Sequence, residues 1–424
     1  MTPEIKQRIE QIRRGEVPEG YEKKRTVVIP QQWRLPQIKD IASISSGSTP
    51  NRNNSEYWNG NIPWVTTGEL SSGHVNHTSE LITVKAVKET KMRIYPQGTL
   101  LMAMYGQGKT RGTVAILEID AAVNQACAAI TVKDGKSKFL FYQLKNSYQD
   151  IRKLSNTGNQ ENLNADIIKT YQVPWAPDEE QERISTILTT QDKVIKLKEK
   201  RLAEKQRQKK YLMQQLLTGK KRLPGFSGAW KNIKLCEVLS ERKEKNIEQN
   251  LRICSVAVQK GVVDQVEHLG RSYAANDTSN YSVAHYGDII YTKSPTGDFL
   301  YGIVKQNLLQ ETVAVSPLYG VFTPLTFGLG YFLHTYFQSA ICARNYLLPI
   351  VQKGAKNTIN ITNDTFISSK LYLPLDVEEQ KAIADTFIAA DREIELLRQD
   401  IRQEKQKKKA LMQLLLTGIV RVTV

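Results

Sequence analysis

Cysteine is scarce in this 424-residue chain: Cys127, Cys236, Cys254 and Cys342 are scattered, with no C-x-x-C spacing. That pattern excludes a disulfide framework and suggests no thiolate zinc site. Histidine is nearly as rare. Only His74 and His77 stand at a ligand-like spacing, in a polar stretch with no cysteine nearby. No run approaches the roughly 18 apolar residues that a membrane helix needs. The opening MTPEIKQRIEQIRRG is charged and reads as a helix, not a signal peptide, so a cytoplasmic location and no membrane partner are expected. The G-x-G-x-x-G fingerprint on a strand–helix unit is missing too. What the chain does have is positive charge. Lys and Arg number 59 against 43 Asp and Glu, a formal +16, which points to a polyanionic partner. Its length fits two or three domains, and a 40% hydrophobic content can build real cores.

One helical stretch occurs twice. Glu179–Gly219 aligns with Glu378–Gly418 without a gap, and 16 of the 41 positions are identical, including Glu-Glu-Gln at the start and Leu-Leu-Thr-Gly at the close. This is a tandem duplication. Each copy opens on acidic residues that suit the positive end of a helix dipole, and each closes on a glycine placed for a left-handed cap. Neither interior holds proline or glycine. At about 1.5 Å per residue, each helix would run roughly 60 Å. The apolar spacing is heptad-like. In the first copy it comprises Ile184, Leu188, Ile195, Leu202, Leu212 and Leu216. In the second it comprises Ile383, Phe387, Ile394, Ile401, Leu411 and Leu415. Such a stripe needs a mate, and the other copy supplies it, predicting an intramolecular antiparallel coiled coil with a large domain at each end.

The remaining chain divides around these helices into residues 1–30, a short helix with a polar tail; 31–177, a first domain; 178–223, the first long helix; 224–375, a second domain; and 376–424, the second long helix and tail. The first domain shows short β-like runs (64–67, 99–105, 113–119, 126–132), a helical 138–154, a Gly/Asn-rich loop at 155–164 and a strand at 167–173. The second repeats this plan loosely. Trp230 echoes Trp33, the run 286–291 echoes 96–101, a helical 329–343 follows, and a loop at 351–360 precedes a strand ending near Pro374. The fold class is therefore α+β: two mixed-sheet domains joined by two long paired helices, with an internal pseudo-two-fold repeat.

These features resemble the DNA-specificity subunit of type I restriction–modification enzymes. The likeness runs from Trp33 to Gly418. It rests on the domain–helix–domain–helix order and on IASISSGSTPNRNNSEYWNGNIPWVTTGEL in the first domain. It also rests on two features that occur twice, a Gly-to-Asn loop before each final strand and a Glu-Gln-x-x-Ile helix start after a proline. The second domain lacks the Gly-Ser-Thr-Pro and Tyr-Trp elements. The resemblance implies that each domain is a target-recognition domain reading half of a split, asymmetric double-stranded DNA sequence. The paired helices would set the unread spacing and carry two modification subunits. Those subunits would bind S-adenosylmethionine and methylate adenine at N6, and restriction subunits using ATP would join them. The chain itself would be no enzyme and would hold no cofactor or metal. In agreement, it has no Pro-Pro and hence no Asn/Asp-Pro-Pro-Tyr/Phe methylation motif. A reading from another class keeps the coiled coil as a protein-interaction scaffold without sequence-specific DNA binding.

Candidate DNA contacts follow from residue type. The stretch Ala103–Thr110 nearly spells a phosphate-binding P-loop, but RGTVAILEI behind it is β-branched, and a P-loop needs a helix there. A hairpin loop offering Gln107, Lys109, Thr110 and Arg111 suits base edges or phosphate better. Lys293, Ser294 and Thr296 occupy the matching place in the second domain. The Asn-rich loops add Asn156, Asn159, Gln160 and Asn162 in one domain and Gln352, Lys353, Lys356 and Asn357 in the other. Tyr57 and Trp58 sit in a polar loop and could touch sugar or base, whereas Trp64 reads as core. Basic clusters at 198–210 and 405–409 are either solvated helix faces or phosphate contacts.

Overall fold

The computed structural model describes residues 2–106, 108–154, 162–271, 277–353 and 359–422. The chain forms two compact units. Residues 1–198 with 400–424 make the first, and residues 199–399 make the second. Each unit thus combines one mixed-sheet domain with the start of one long helix and the end of the other.

In the first unit, Ala42–Ser46, Cys127–Val132, Leu100–Ala103, Val114–Leu117 and His74–Val75 form a five-stranded sheet in that spatial order, antiparallel except for its last pair. Successive side chains of a strand point to opposite faces, and here both faces are covered. Leu100, Met102, Val114, Ile116, Ala128 and Ile130 pack with Phe139 and Leu140 and with Ile184, Leu188, Met412 and Leu415 of the long helices. Leu101, Ala103, Ala115, Leu117, Cys127 and Ala129 pack on the other face with Val65, Leu70 and Tyr95. A three-stranded sheet of Glu80–Ile82, Trp58–Val65 and Ala122–Val123 carries Trp64, buried as its apolar strand requires.

The second unit has two four-stranded sheets. One orders Leu239–Glu241, Gly320–Pro324, Ile289–Tyr291 and Val304–Gln306, all antiparallel. The other orders Gly261–Asp264, Arg252–Ala257, Val313–Val315 and Ser282–Ala284, with one parallel pair. Its core gathers Tyr291, Phe322, Phe332, Phe337 and Phe366 with Leu216, Ile383 and Phe387 of the long helices.

The long helices run Asp178–Leu216 and Val377–Leu415, 39 residues each. They pair antiparallel in both units. In the first unit Lys408 binds Asp192, and Lys198 binds Asp400 and Glu404. In the second Lys209 binds Asp391 at 2.5 Å and Lys205 binds Glu393 at 2.9 Å. Of the twelve apolar seam positions, nine are buried, and Leu202, Leu212 and Leu411 are half-buried. Gly219 and Gly418 end the helices at φ +69° and +74°, where a side chain would be strained, and a Cβ on Gly418 would press on Pro30.

Three expectations change. Residues 167–173 are not a strand: Ala165–Thr170 is a helix, capped by the Asn164 side chain accepting from the Ile167 amide at 2.8 Å. The polar tail after the helix Pro3–Arg13 is a β-hairpin, Tyr21–Lys24 against Val27–Pro30. The helical stretches at 138–154 and 329–343 are each two shorter helices: Ser137–Asn146 and Tyr148–Lys153, then Phe327–Tyr336 and Ala340–Leu347.

Candidate nucleic-acid interface

In the first unit the Lys109 loop joins two antiparallel strands, Leu100–Ala103 and Val114–Leu117. No helix begins behind Lys109, so the arrangement that a P-loop needs is missing here. The loop is anchored through its carbonyls. The Tyr148 hydroxyl donates to Lys109 O at 2.7 Å, Thr113 Oγ1 donates to the same oxygen at 3.0 Å, and Arg152 Nη1 donates to Arg111 O at 3.0 Å. With the backbone tied inward, Lys109 is left exposed, Thr110 half-exposed and Tyr105 41% exposed. Arg111, by contrast, is buried, at 7% exposed. The Leu163 amide donates to Met104 O at 2.9 Å, which brings the end of the Asn-rich segment and the half-buried Asn162 beside this loop. Gln107, Asn156, Asn159 and Gln160 lie outside the described residues.

The second unit builds its loop on the hairpin Ile289–Tyr291 and Val304–Gln306. Thr296 and Phe299 exchange backbone hydrogen bonds at 3.0 Å, and the Tyr291 hydroxyl donates to Tyr301 O at 2.6 Å. This hydrogen-bonded turn exposes Ser294 and Thr296 and leaves Lys293 half-buried at φ +54°. Burial lowers the Lys293 pKa, and the Glu241 carboxylate opposes that shift. Glu241 also accepts from Asn363 Nδ2 at 2.5 Å, so the segment after the second Asn-rich stretch is fastened to the same neighbourhood. That stretch is itself a small hairpin at its ends, Gln352–Lys353 paired with Ile359–Asn360; Lys356 and Asn357 lie outside the described residues, as do the side chains of Gln352 and Lys353. Each unit therefore presents a braced hairpin loop carrying a lysine and hydroxyls, groups able to meet phosphate oxygens or base edges.

Other candidates turn out to have structural work. Lys198, Arg201, Lys205, Lys209 and Lys408 of the basic clusters all face carboxylates of the opposite helix. Trp58 packs edge-on against Trp64 with Arg52 stacked 4.2 Å above it, and Tyr57 donates to Glu89 at 2.7 Å. His74 Nδ1 meets Glu118 at 2.9 Å while His77 Nδ1 meets Asn76 at 2.7 Å, so the two rings serve different partners. Among the described residues no cluster of three or more His, Cys, Asp or Glu could hold a metal ion, and no helix is long and apolar enough to cross a membrane.

Sequence reasoning missed a clasp that both units repeat. Trp33 Nε1 donates to Glu180 at 2.9 Å, and Arg421 clamps the same carboxylate through Nε at 2.8 Å and Nη2 at 2.9 Å. In the second unit Trp230 and Arg222 hold Glu379 in the same way. Arg222 and Arg421 stand three residues past the paired glycines, so extending the repeat alignment that far would have found them.

Comparison with known proteins agrees with this duplicated layout. Residues 30–207 and 210–405 each match the family model of the type I restriction modification DNA specificity domain. The type I restriction enzyme MjaIX specificity subunit of Methanocaldococcus jannaschii is 34% identical over 178 residues, spanning 41% of this chain and 40% of that protein. The MjaVIII specificity subunit of the same organism is 23% identical over 438 aligned positions, covering 95% of this chain and 96% of that one. Among solved structures, the S subunit of a type I restriction–modification system from M. genitalium shares the fold, with a TM-score of 0.58 at 11% identity over 93% of this chain and 98% of that one.

Proposed function

The chain belongs to the type I restriction–modification DNA-specificity subunit family, and from that membership we propose that it reads a two-part, asymmetric DNA target while partner subunits do the chemistry. One observation carries this reading: a domain-plus-helix module occurs twice, and each copy displays a differently composed hairpin loop, Lys109-Thr110 in one and Lys293-Ser294 with Thr296 in the other. Two unlike readers fit two unlike half-sites. In this reading the paired helices set the unread spacing and receive two modification subunits, which bring S-adenosylmethionine and methylate adenine N6. Restriction subunits bring ATP. The chain is non-catalytic and acts in the cytoplasm. The test is to co-express it with its modification subunit and map adenine methylation across the host genome. Marks confined to one split motif are expected; marks without such a motif overturn the proposal.

A further inference from the structure

The outer ion pairs of the long helices are the same in both units, and the inner ones are not. Asp192 with Lys408 and Asp391 with Lys209 are one pair written twice, since each member maps onto its counterpart at the repeat offset. Such pairs form equally well whether a helix meets its unlike mate or a second copy of itself. Nearer the centre the two copies have diverged in charge. Residues 193–205 of the first helix hold six basic and two acidic residues; the matching 392–404 of the second hold three basic and four acidic.

The contacts use this difference. In the first unit Lys198 Nζ donates to Asp400 at 2.7 Å and to Glu404 at 2.8 Å, and Gln191 Nε2 donates to Glu404 at 2.6 Å. In the second unit Glu393 receives Lys205 at 2.9 Å and Arg201 at 3.5 Å. The repeat states what a like pairing would contain instead. At the positions of Asp400, Glu404 and Glu393 the first helix has Arg201, Lys205 and Val194. Two first helices would set Lys198 against Arg201 and Lys205. At the positions of Arg201, Lys205 and Lys198 the second helix has Asp400, Glu404 and Leu397. Two second helices would set Glu393 against Asp400 and Glu404.

We propose that the central turns of the first long helix form a docking surface for an acidic antiparallel helix, the second long helix, and reject a second copy of themselves. Individual exposed ion pairs contribute little. Here the discrimination counts each contact twice, as attraction lost and as repulsion gained, which is how flanking charges choose partners in coiled coils. A module cannot then complete itself by self-pairing, so the assembled reader always contains both unlike domains. The inference stands on helix contacts alone and holds whatever the domains bind.

The intact chain can test this. One variant makes the second helix match the first at four positions: Glu393→Val, Leu397→Lys, Asp400→Arg and Glu404→Lys. Its converse carries Val194→Glu, Lys198→Leu, Arg201→Asp and Lys205→Glu. A third variant carries all eight changes and so exchanges the two faces. Each four-site variant is expected to melt about 5 °C or more below the parent at low salt. That deficit should shrink as salt rises towards about 0.5 M. The eight-site variant should return to within about 2 °C of the parent. The proposal is overturned if either four-site variant melts like the parent, or if the exchange fails to restore stability. Should the four-site variants not fold, a folded eight-site variant supports the proposal and an unfolded one overturns it.

Discussion

At the scale of single residues, the second unit carries a lysine that the fold treats as a near-apolar side chain. Lys305 is 4% exposed on the strand Val304–Gln306. Burial pushes its pKa down to about 8; Lys209 adds to the shift and Asp391 opposes it. A lysine whose folded pKa lies below its unfolded one binds fewer protons in the native state, so stability rises with pH between the two values. The window here opens near pH 8. It is limited from about pH 9 by Cys127 and Cys254, and above about pH 10 by Tyr291, Tyr331 and Tyr346, whose thiols and hydroxyls burial holds in the protonated form. Replacing Lys305 with Met should stabilise the protein by on the order of 3 kcal/mol at pH 7. It should also flatten the rise in stability between pH 8 and 9.5, as read by urea unfolding at each pH. The neighbouring His334 does not confuse the measurement, because burial, with Lys305 and Lys209 beside it, holds its pKa well below the ordinary value and it stays neutral throughout. Nothing in the local sequence announces this residue: VKQ reads as an ordinary strand with a solvated lysine. Arg111 is buried with as little notice in the sequence. Exposure belongs to the packed loop, and residue type alone assigns it to the surface.

At the scale of elements, the Glu180 clasp ties a helix start, an arginine beyond the end of the other long helix and a tryptophan into one joint. The Glu180 side chain is 6% exposed and that of Arg421 22%. Burial alone would raise the Glu180 pKa; the Arg421 guanidinium, the Trp33 indole N–H and the Val422 amide overcome this and hold it below the usual carboxylate range. Arg421→Met leaves a buried carboxylate without its counter-charge, a change that typically costs about 3–5 kcal/mol. Adding Glu180→Gln should recover part of that loss, because the neutral amide needs no counter-charge. A double-mutant cycle on thermal unfolding reads the coupling, and additive losses would show that the clasp does not work as a unit. A depressed carboxylate contributes stability above its unfolded pKa and loses it as pH falls through the folded one. The parent should therefore lose more stability on acidification than Glu180→Gln does. Elements were legible where their signal was long. Heptad spacing over 39 residues, acidic starts and glycine ends specified both helices and the seam. Short elements were less so. Ile167 and Ile168 suggest a strand, yet the Asn164 cap and the Thr170 hydroxyl on Asp166 O make a helix turn there. Glu22, Lys23 and Lys24 hide a hairpin because charge masks its alternation.

At the scale of the whole molecule, the duplication was legible because the helices keep 16 of 41 positions while the domains keep few. The two hairpin loops were legible as loops, but which of their side chains meet DNA was not, since a surface that recognises something outside the chain leaves no periodic trace within it. The same division governs the charge. Five lysines and arginines of the basic clusters are committed to helix pairing, so those five add nothing to the charge that a polyanion would meet. Lys109 is exposed on a loop whose carbonyls are already bonded, and we propose it as a DNA contact. If it donates to guanine O6 and N7, Lys109→Ala should cost about 1–3 kcal/mol and relax preference within one half-site alone. If it neutralises phosphate, binding should weaken on every sequence, and the salt slope should fall by about 1. The chain with its modification subunits, titrated against duplexes altered in one half-site or the other across a salt series, separates these outcomes. We expect the half-site-specific loss, because loop bracing of this kind holds a donor in place and phosphate contact needs no such bracing. Affinity that ignores salt altogether would remove DNA from the account and leave the paired helices as the functional surface.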